Sequence, residues 1–279
     1  MNENSASLIG PIGVAGCGRM GAPMARALIR AGFDVAGLDV LPAASFGDLA
    51  PRMTDAEGFA AGRRIILSVV RDAAQTEQLL FDDQALITRR PSAIDTVLIC
   101  STLSPRYIAE LRSRIPAEIA LIDAPMSGAS VSAEEARLSF MLGGDEKLID
   151  HLQPLFAAMG DKIHRLGPLG AGMTAKVLNN FCAASSVAAT RTVLRWAKTL
   201  GVDEDRLLAV VNDSSGQNWL ASNFNRIEFS RHGYTPENTL GILAKDLDSM
   251  MDALPPEEAE GLPTALISLI RDLKPWPTG

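Results

Sequence analysis

Gly16-Cys17-Gly18-Arg19-Met20-Gly21 follows a short apolar run, Ile12 to Ala15, and precedes Met24, Ala25, Leu28 and Ile29 at helical spacing up to Gly32. That order is strand, glycine turn, helix. A second apolar run, Val35 to Leu38, closes on Asp39. Glycine triplets are common, but with a strand before, a helix after and an acid ending the next strand, this one meets the context of a dinucleotide-binding fingerprint. The three glycines have separate roles. Gly16 permits the tight turn, Gly18 lets a pyrophosphate approach the backbone, and Gly21 lets helix pack on strand. Arg19 and Met20 complete the loop, and the helix N-terminus faces the charged group. The competing reading is a structural glycine turn.

Strand-like runs recur at Ile65 to Val70, Thr96 to Cys100 and Ala120 to Asp123, separated by helix formers over Ala73 to Leu80 and Arg106 to Arg114. This alternation predicts a Rossmann-type α/β fold, a doubly wound and mostly parallel sheet. Leu138 to Leu142 reads as a further strand, Asp145 as the cap of a helix running past Pro154 to Met159, and Lys162 to Leu166 as a last extended piece. The expected organisation is a dinucleotide-binding domain over residues 1–166 and an all-α domain over residues 167–279. In the latter, Leu207 to Val211, Thr239 to Met251 and Ala265 to Leu273 read as helices.

The join, Gly167 to Asn180, starts with glycines and a proline and runs into an apolar segment ending before Gly201. A helix from Gly172 to Leu200 would be about 43 Å long, more than a domain of this size needs, so a homo-oligomer (dimer or tetramer) built on it is expected. Lys176 and Asn180 lie one turn apart on one face of that helix, and no charged residue follows Lys176 until Arg191. Desolvation disfavours the ammonium form, which tunes a lysine to exchange protons near neutral pH. Alternatively, the stem packs while the head reaches the surface.

Among 279 residues, 47% are hydrophobic, enough for a sizeable core, and the net charge of -7 without a basic run argues against nucleic acid and anionic membranes as partners. The first seven residues are polar without a basic group, so no leader is expected. The longest charge-free apolar stretch, Val177 to Thr190, is too short to span a bilayer. Cys17, Cys100 and Cys182 are scattered and odd in number, pointing to free thiols in a reducing cytoplasm. His151, His164 and His232 lack ligand spacing, so no metal is expected.

Several motifs in order resemble the β-hydroxyacid dehydrogenases over nearly the whole chain: Gly13 to Ala25, Ser101-Thr102-Leu103-Ser104-Pro105, Asp123-Ala124-Pro125-Met126-Ser127-Gly128, Gly167 to Asn180 and Lys245-Asp246-Leu247. Ser214 to Trp219 is most similar to the 3-hydroxyisobutyrate dehydrogenase branch. The resemblance implies that Lys176 is the catalytic acid/base. Alcohol oxidation must remove the hydroxyl proton as hydride leaves, and a desolvated neutral amine can take it. Asn180 would orient the substrate hydroxyl or carboxylate. Ser127 and Gly128 would clamp a small hydroxy acid's carboxylate, with Trp219 also on the substrate. Val70 and Thr102 would contact the cofactor, and Lys245 would reach it from the helical domain. Asp39, with no basic residue until Arg52, favours NAD over NADP, because a carboxylate there repels a 2′-phosphate. The chain departs from the family at Val70-Arg71, where Leu-Pro is usual, at Ile99, where aspartate is usual, and at Ala129, where a second glycine follows Ser-Gly. An imine reductase on the same scaffold is the first alternative, although those relatives typically replace the lysine. A non-catalytic dinucleotide-binding protein is the second.

Overall fold

The computed structural model describes residues 9–276, so the polar opening stretch and the last three residues lie outside it. The chain divides into two compact units, one ending at Lys176 and one beginning at Val177. This division falls inside a helix, beyond the glycine turn at Gly167, because the first turns of that helix pack with the first unit: Met173 is 0% exposed in one of its core layers.

In the first unit, β1 (Ile12–Ala15), β2 (Val35–Leu38), β3 (Ile65–Ser68), β4 (Thr96–Ile99) and β5 (Ala120–Asp123) run parallel in the order β2-β1-β3-β4-β5. Helices α1 (Gly21–Arg30), α2 (Ala56–Gly62), α3 (Ala73–Leu80) and α4 (Pro105–Arg114) lie along the connections. The order reverses between β1 and β3, the switch point beyond which open sheets leave a crevice. β1, β3 and β4 are buried along their whole length, which is why they read as unbroken apolar runs. Ile65 and Leu67 join Met24 and Leu28 in one core layer, while Ile66 joins Leu79, Ile108 and Leu111 in the other. The sheet is therefore covered on both faces.

Past β5 the sheet changes direction. β7 (Leu138–Gly143) pairs antiparallel with β5 and with the two-residue β6 (Met126–Ser127), and parallel with β8 (Gly160–Gly167); α5 (Ser130–Glu134) follows β6. Asp145 caps the next helix, its carboxylate accepting the Leu148 N–H at 2.8 Å. Where one helix to Met159 was expected, two short ones form, α6 (Glu146–His151) and α7 (Gln153–Ala157). Pro154 sits in the first turn of α7 and has no N–H with which to continue α6.

α8 (Ala171–Leu200) is the long helix. The second unit adds α9 (Glu204–Asn212), α10 (Trp219–Asn223), α11 (Thr239–Ala253) and α12 (Leu262–Arg271), with no strand beyond Gly167 among the described residues. Asp203, Asn218 and Asn238 start three of these helices by accepting N–H bonds from Arg206, Ala221 and Gly241. Its core gathers Val187, Leu194, Leu208, Phe224, Leu247 and Ile270. Arg191 is itself buried there, donating to the carbonyls of His232 and Lys274 beneath the Trp276 ring.

Among the described residues, no helix is long and apolar enough to cross a membrane, and no group of three or more potential ligands could hold a metal ion. Cys17 and Cys100 are buried and Cys182 exposed, all as free thiols. Burial pushes both buried thiols up to about 12, so neither is a nucleophile at neutral pH.

Candidate active site

The glycine loop leaves β1 at Gly16, whose φ of 90° only glycine adopts without strain. A Cβ there would lie 2.7 Å from the Val69 carbonyl oxygen. At Gly21 it would lie 1.9 Å from the Gly16 carbonyl oxygen, so helix and strand meet backbone to backbone. At Gly18 a Cβ would meet nothing within 4 Å. The loop is thus closed at its first and third glycines and open at the second, the arrangement that lets a pyrophosphate approach. The N-terminus of α1 has no side-chain cap and no acid in its first turn, which keeps its dipole available to an anion. Arg19 is exposed and Met20 half-buried beside it.

Asp39 follows β2 directly and is half-buried, accepting the Cys17 N–H at 2.7 Å and the Leu41 N–H at 3.1 Å. It therefore caps its own turn and also braces the glycine loop. Arg52 donates to the Val35 carbonyl, at the far end of β2 from Asp39. No compensation for a 2′-phosphate comes from it. Val70 and Thr102, both half-buried, lie just past β3 and β4, and the Ser101 hydroxyl ties these two turns by donating to the Val70 carbonyl at 2.6 Å. The open glycine and uncapped helix start after β1, with the carboxylate after β2, fit NAD.

Lys176 is 7% exposed, in the second turn of α8, and its Nζ donates to Ser127 Oγ at 3.4 Å. Ser127 ends β6, and Gly128 follows, exposed and with φ 125°, so the turn presents a hydroxyl and backbone together. Between β5 and α8 stands Asp123, 0% exposed. Its carboxylate accepts the Gly170 N–H at 2.7 Å and the Met173 N–H at 2.6 Å. Burial raises its pKa to about 6, against the lowering effect of those N–H bonds.

Asn180, 8% exposed, lies one turn beyond Lys176 on the same helix. Within the second unit its Nδ2 donates to Asp246 Oδ2 at 2.6 Å, and Asp246 Oδ1 is 2.9 Å from Lys245 Nζ. Lys245 is thus held by the acid next to it in sequence. Trp219 begins α10, 47% exposed, with its ring 6.1 Å from that of Phe229. The structure brings Lys176 to Ser127 and Asn180 to the Lys245–Asp246 pair. Sequence reasoning gives no role of their own to Asp123 and Asp246. The signal is present in the chain: Asp123 closes an apolar strand run, and Asp246 falls on the buried face of α11 shared with Leu243, Leu247 and Met250.

Residues 11–167 match the family described as the NAD binding domain of 6-phosphogluconate dehydrogenase, and residues 170–273 match the NAD-binding family of NADP-dependent 3-hydroxyisobutyrate dehydrogenase. The L-threonate dehydrogenase of Cupriavidus necator is 31% identical over 253 residues, covering 86% of this chain and 82% of that protein. The NAD-dependent L-serine dehydrogenase of Pseudomonas aeruginosa is 33% identical over 215 residues, covering 75% and 72%. Among solved structures, 3-hydroxyisobutyrate dehydrogenase from Mycobacterium tuberculosis with L-serine superposes at a TM-score of 0.76 with 26% identity, covering 95% of this chain and 96% of that one.

Proposed function

The chain belongs to the β-hydroxyacid dehydrogenase family and is an NAD-dependent dehydrogenase; from that premise we propose that it oxidises a small 3-hydroxy acid of the 3-hydroxyisobutyrate type, with Lys176 as the acid/base. The observation that carries the reading is the buried Lys176 amine beside the Ser127 hydroxyl. NAD, when bound, supplies the hydride acceptor. The protein's own part is to hold and move a proton: Lys176 Nζ, in its neutral form, takes the substrate hydroxyl proton, and in the reverse direction gives it back. Ser127 and the Gly128 N–H clamp the substrate carboxylate, fixing the hydroxyl toward the amine. Asn180, anchored through its Nδ2 by Asp246, orients the substrate on the same helical face as Lys176. Trp219 and Lys245 are assigned to substrate and cofactor by family resemblance.

An imine reductase on the same scaffold is the second reading; those relatives typically replace the lysine, so Lys176 favours the dehydrogenase. The test is a panel of 3-hydroxyisobutyrate, L-serine, L-threonate and unsubstituted 3-hydroxy acids with NAD, followed by NADH formation. The highest kcat/KM is expected for 3-hydroxyisobutyrate. Preference for another panel member would replace the substrate, and no NADH with any of them would overturn the reading.

A further inference from the structure

We infer that Asp123 is a positioning residue for Lys176: its carboxylate fastens the first turn of α8 to the end of β5 and thereby sets the approach of the lysine to Ser127. The inference rests on the reading of Lys176 as acid/base.

Asp123 is the last residue of β5 and pairs with Gly143 of β7. The chain leaves it through Ala124 and Pro125 and reaches Ser127 at once, so the serine hangs from the same strand end. The lysine hangs from the other side of the carboxylate, since Met173, whose N–H Asp123 accepts, lies less than one turn before Lys176. One buried side chain thus joins the supports of two groups 3.4 Å apart.

Of the other first-turn N–H groups, that of Gly172 also faces the Asp123 carboxylate, while Ala171 is satisfied by the Pro168 carbonyl and Thr174 by the Gly170 carbonyl, each at 2.9 Å. A helix start needs only a nearby Ser, Thr, Asp or Asn to cap it. Here the cap comes from 47 residues away in sequence, which a stability role alone does not require. A local cap would hold the helix together without fixing its register against the sheet; a cap carried on β5 does both. The junction also has no slack. A Cβ on Gly143 would lie 2.4 Å from Asp123 Oδ1, and one on Gly172 would lie 2.3 Å from the Met141 carbonyl oxygen. Catalytic groups lose rate steeply with small displacements, on the order of a hundredfold for 1 Å.

The test is a cycle of Asp123→Asn, Lys176→Ala and the double variant, with kcat measured alongside NADH binding by fluorescence titration. Asp123→Asn keeps shape and volume but replaces one acceptor oxygen with an N–H donor, so it cannot accept from both Gly170 and Met173. Expected are a kcat at least about tenfold lower, NADH still bound at one per chain, and no further loss of kcat beyond about twofold when Asp123→Asn is added to Lys176→Ala. A residue that merely stabilises the fold would cost the same factor in both backgrounds, and that result, or an unchanged kcat in Asp123→Asn, overturns the inference. Near wild-type turnover in Lys176→Ala would instead defeat the acid/base reading. Should Asp123→Asn fail to bind NADH at one per chain, the same cycle is run with Asp123→Ser, whose single short hydroxyl cannot reach both N–H groups, and is judged by the same two results.

Discussion

Two glycine-rich turns in the first unit each deliver the chain from a strand to a helix, and they end differently. At β1–α1 the helix start carries no side-chain cap, and a side chain at Gly18 would meet nothing within 4 Å. At β8–α8 the helix start is closed by the buried Asp123 carboxylate, and Gly172 packs against the Met141 carbonyl. The first end is built for an anion that comes from outside; the second already contains its anion. What remains to be presented there is the lysine one turn further on, beside a hydroxyl. A glycine turn feeding a helix is therefore not by itself an anion site, and what separates the two cases is whether a protein carboxylate already holds the first-turn N–H groups.

The contrast breaks most severely within the first turn itself. Gly21→Ala puts a Cβ against the Gly16 carbonyl and should destabilise the protein by about 3 kcal/mol or more, whereas Gly18→Ala should leave unfolding within about 1 kcal/mol and weaken NAD binding instead. Denaturant titration of the pair measures this; equal stability loss at both glycines would contradict the division of their roles.

At the second turn the same question concerns charge. Asp123 has its pKa raised by burial to about 6, so the folded protein holds that proton more tightly than the unfolded chain. The cost of its charge is fully present above pH 6 and is relieved as pH falls toward the unfolded value near 4. Relative to Asp123→Asn, the wild type should gain about 2 kcal/mol between pH of about 7 and about 4.5. A stability difference that stays flat over this window would show that the carboxylate is not held as described.

Cofactor choice sharpens the first turn further. If Asp39 meets the ribose as proposed, then with Arg52 bound to the opposite end of β2, kcat/KM for NAD should exceed that for NADP by at least about tenfold, equivalent to about 1.4 kcal/mol, and Asp39→Asn should narrow the gap. Equal efficiency with both cofactors in the wild type would refute the role given to Asp39. The smallest effect is expected at Ser127: the Ser127→Ala change should raise KM for the hydroxy acid several-fold, on the order of 1 kcal/mol, with little change in kcat. Loss of kcat at unchanged KM would mean that the serine takes part in the proton step.

The two turns also differ in how far they can be read from sequence. Gly16, Gly18, Gly21 and Asp39 form a local pattern, strand to helix to strand, and that context is enough to propose their roles from the sequence. The burial of Lys176 is not decided by the spacing: the absence of charge up to Arg191 fits equally a stem that packs while the head reaches the surface, and only the resemblance favours a desolvated amine. Its pairing with Ser127 is not legible either, because it depends on where β6 settles. Met126 and Ser127 are too short a run to show a strand period, and their place is set by pairing with β7. Asp123 looks like the end of a strand and Asp246 like a member of a motif; that each holds the support of another residue is a tertiary fact. The two-helix break at Leu152 escapes the sequence pattern because Asp145 gives a strong start signal, and a proline opening a second helix looks the same as one tolerated inside the first.

The mechanism stands or falls on Lys176, and its most direct test is turnover in Lys176→Ala with NADH binding measured on the same preparation. An acid/base on a pre-formed site predicts a kcat lower by at least about a hundredfold while NADH binds as in the wild type. Near wild-type turnover with intact NADH binding would contradict it.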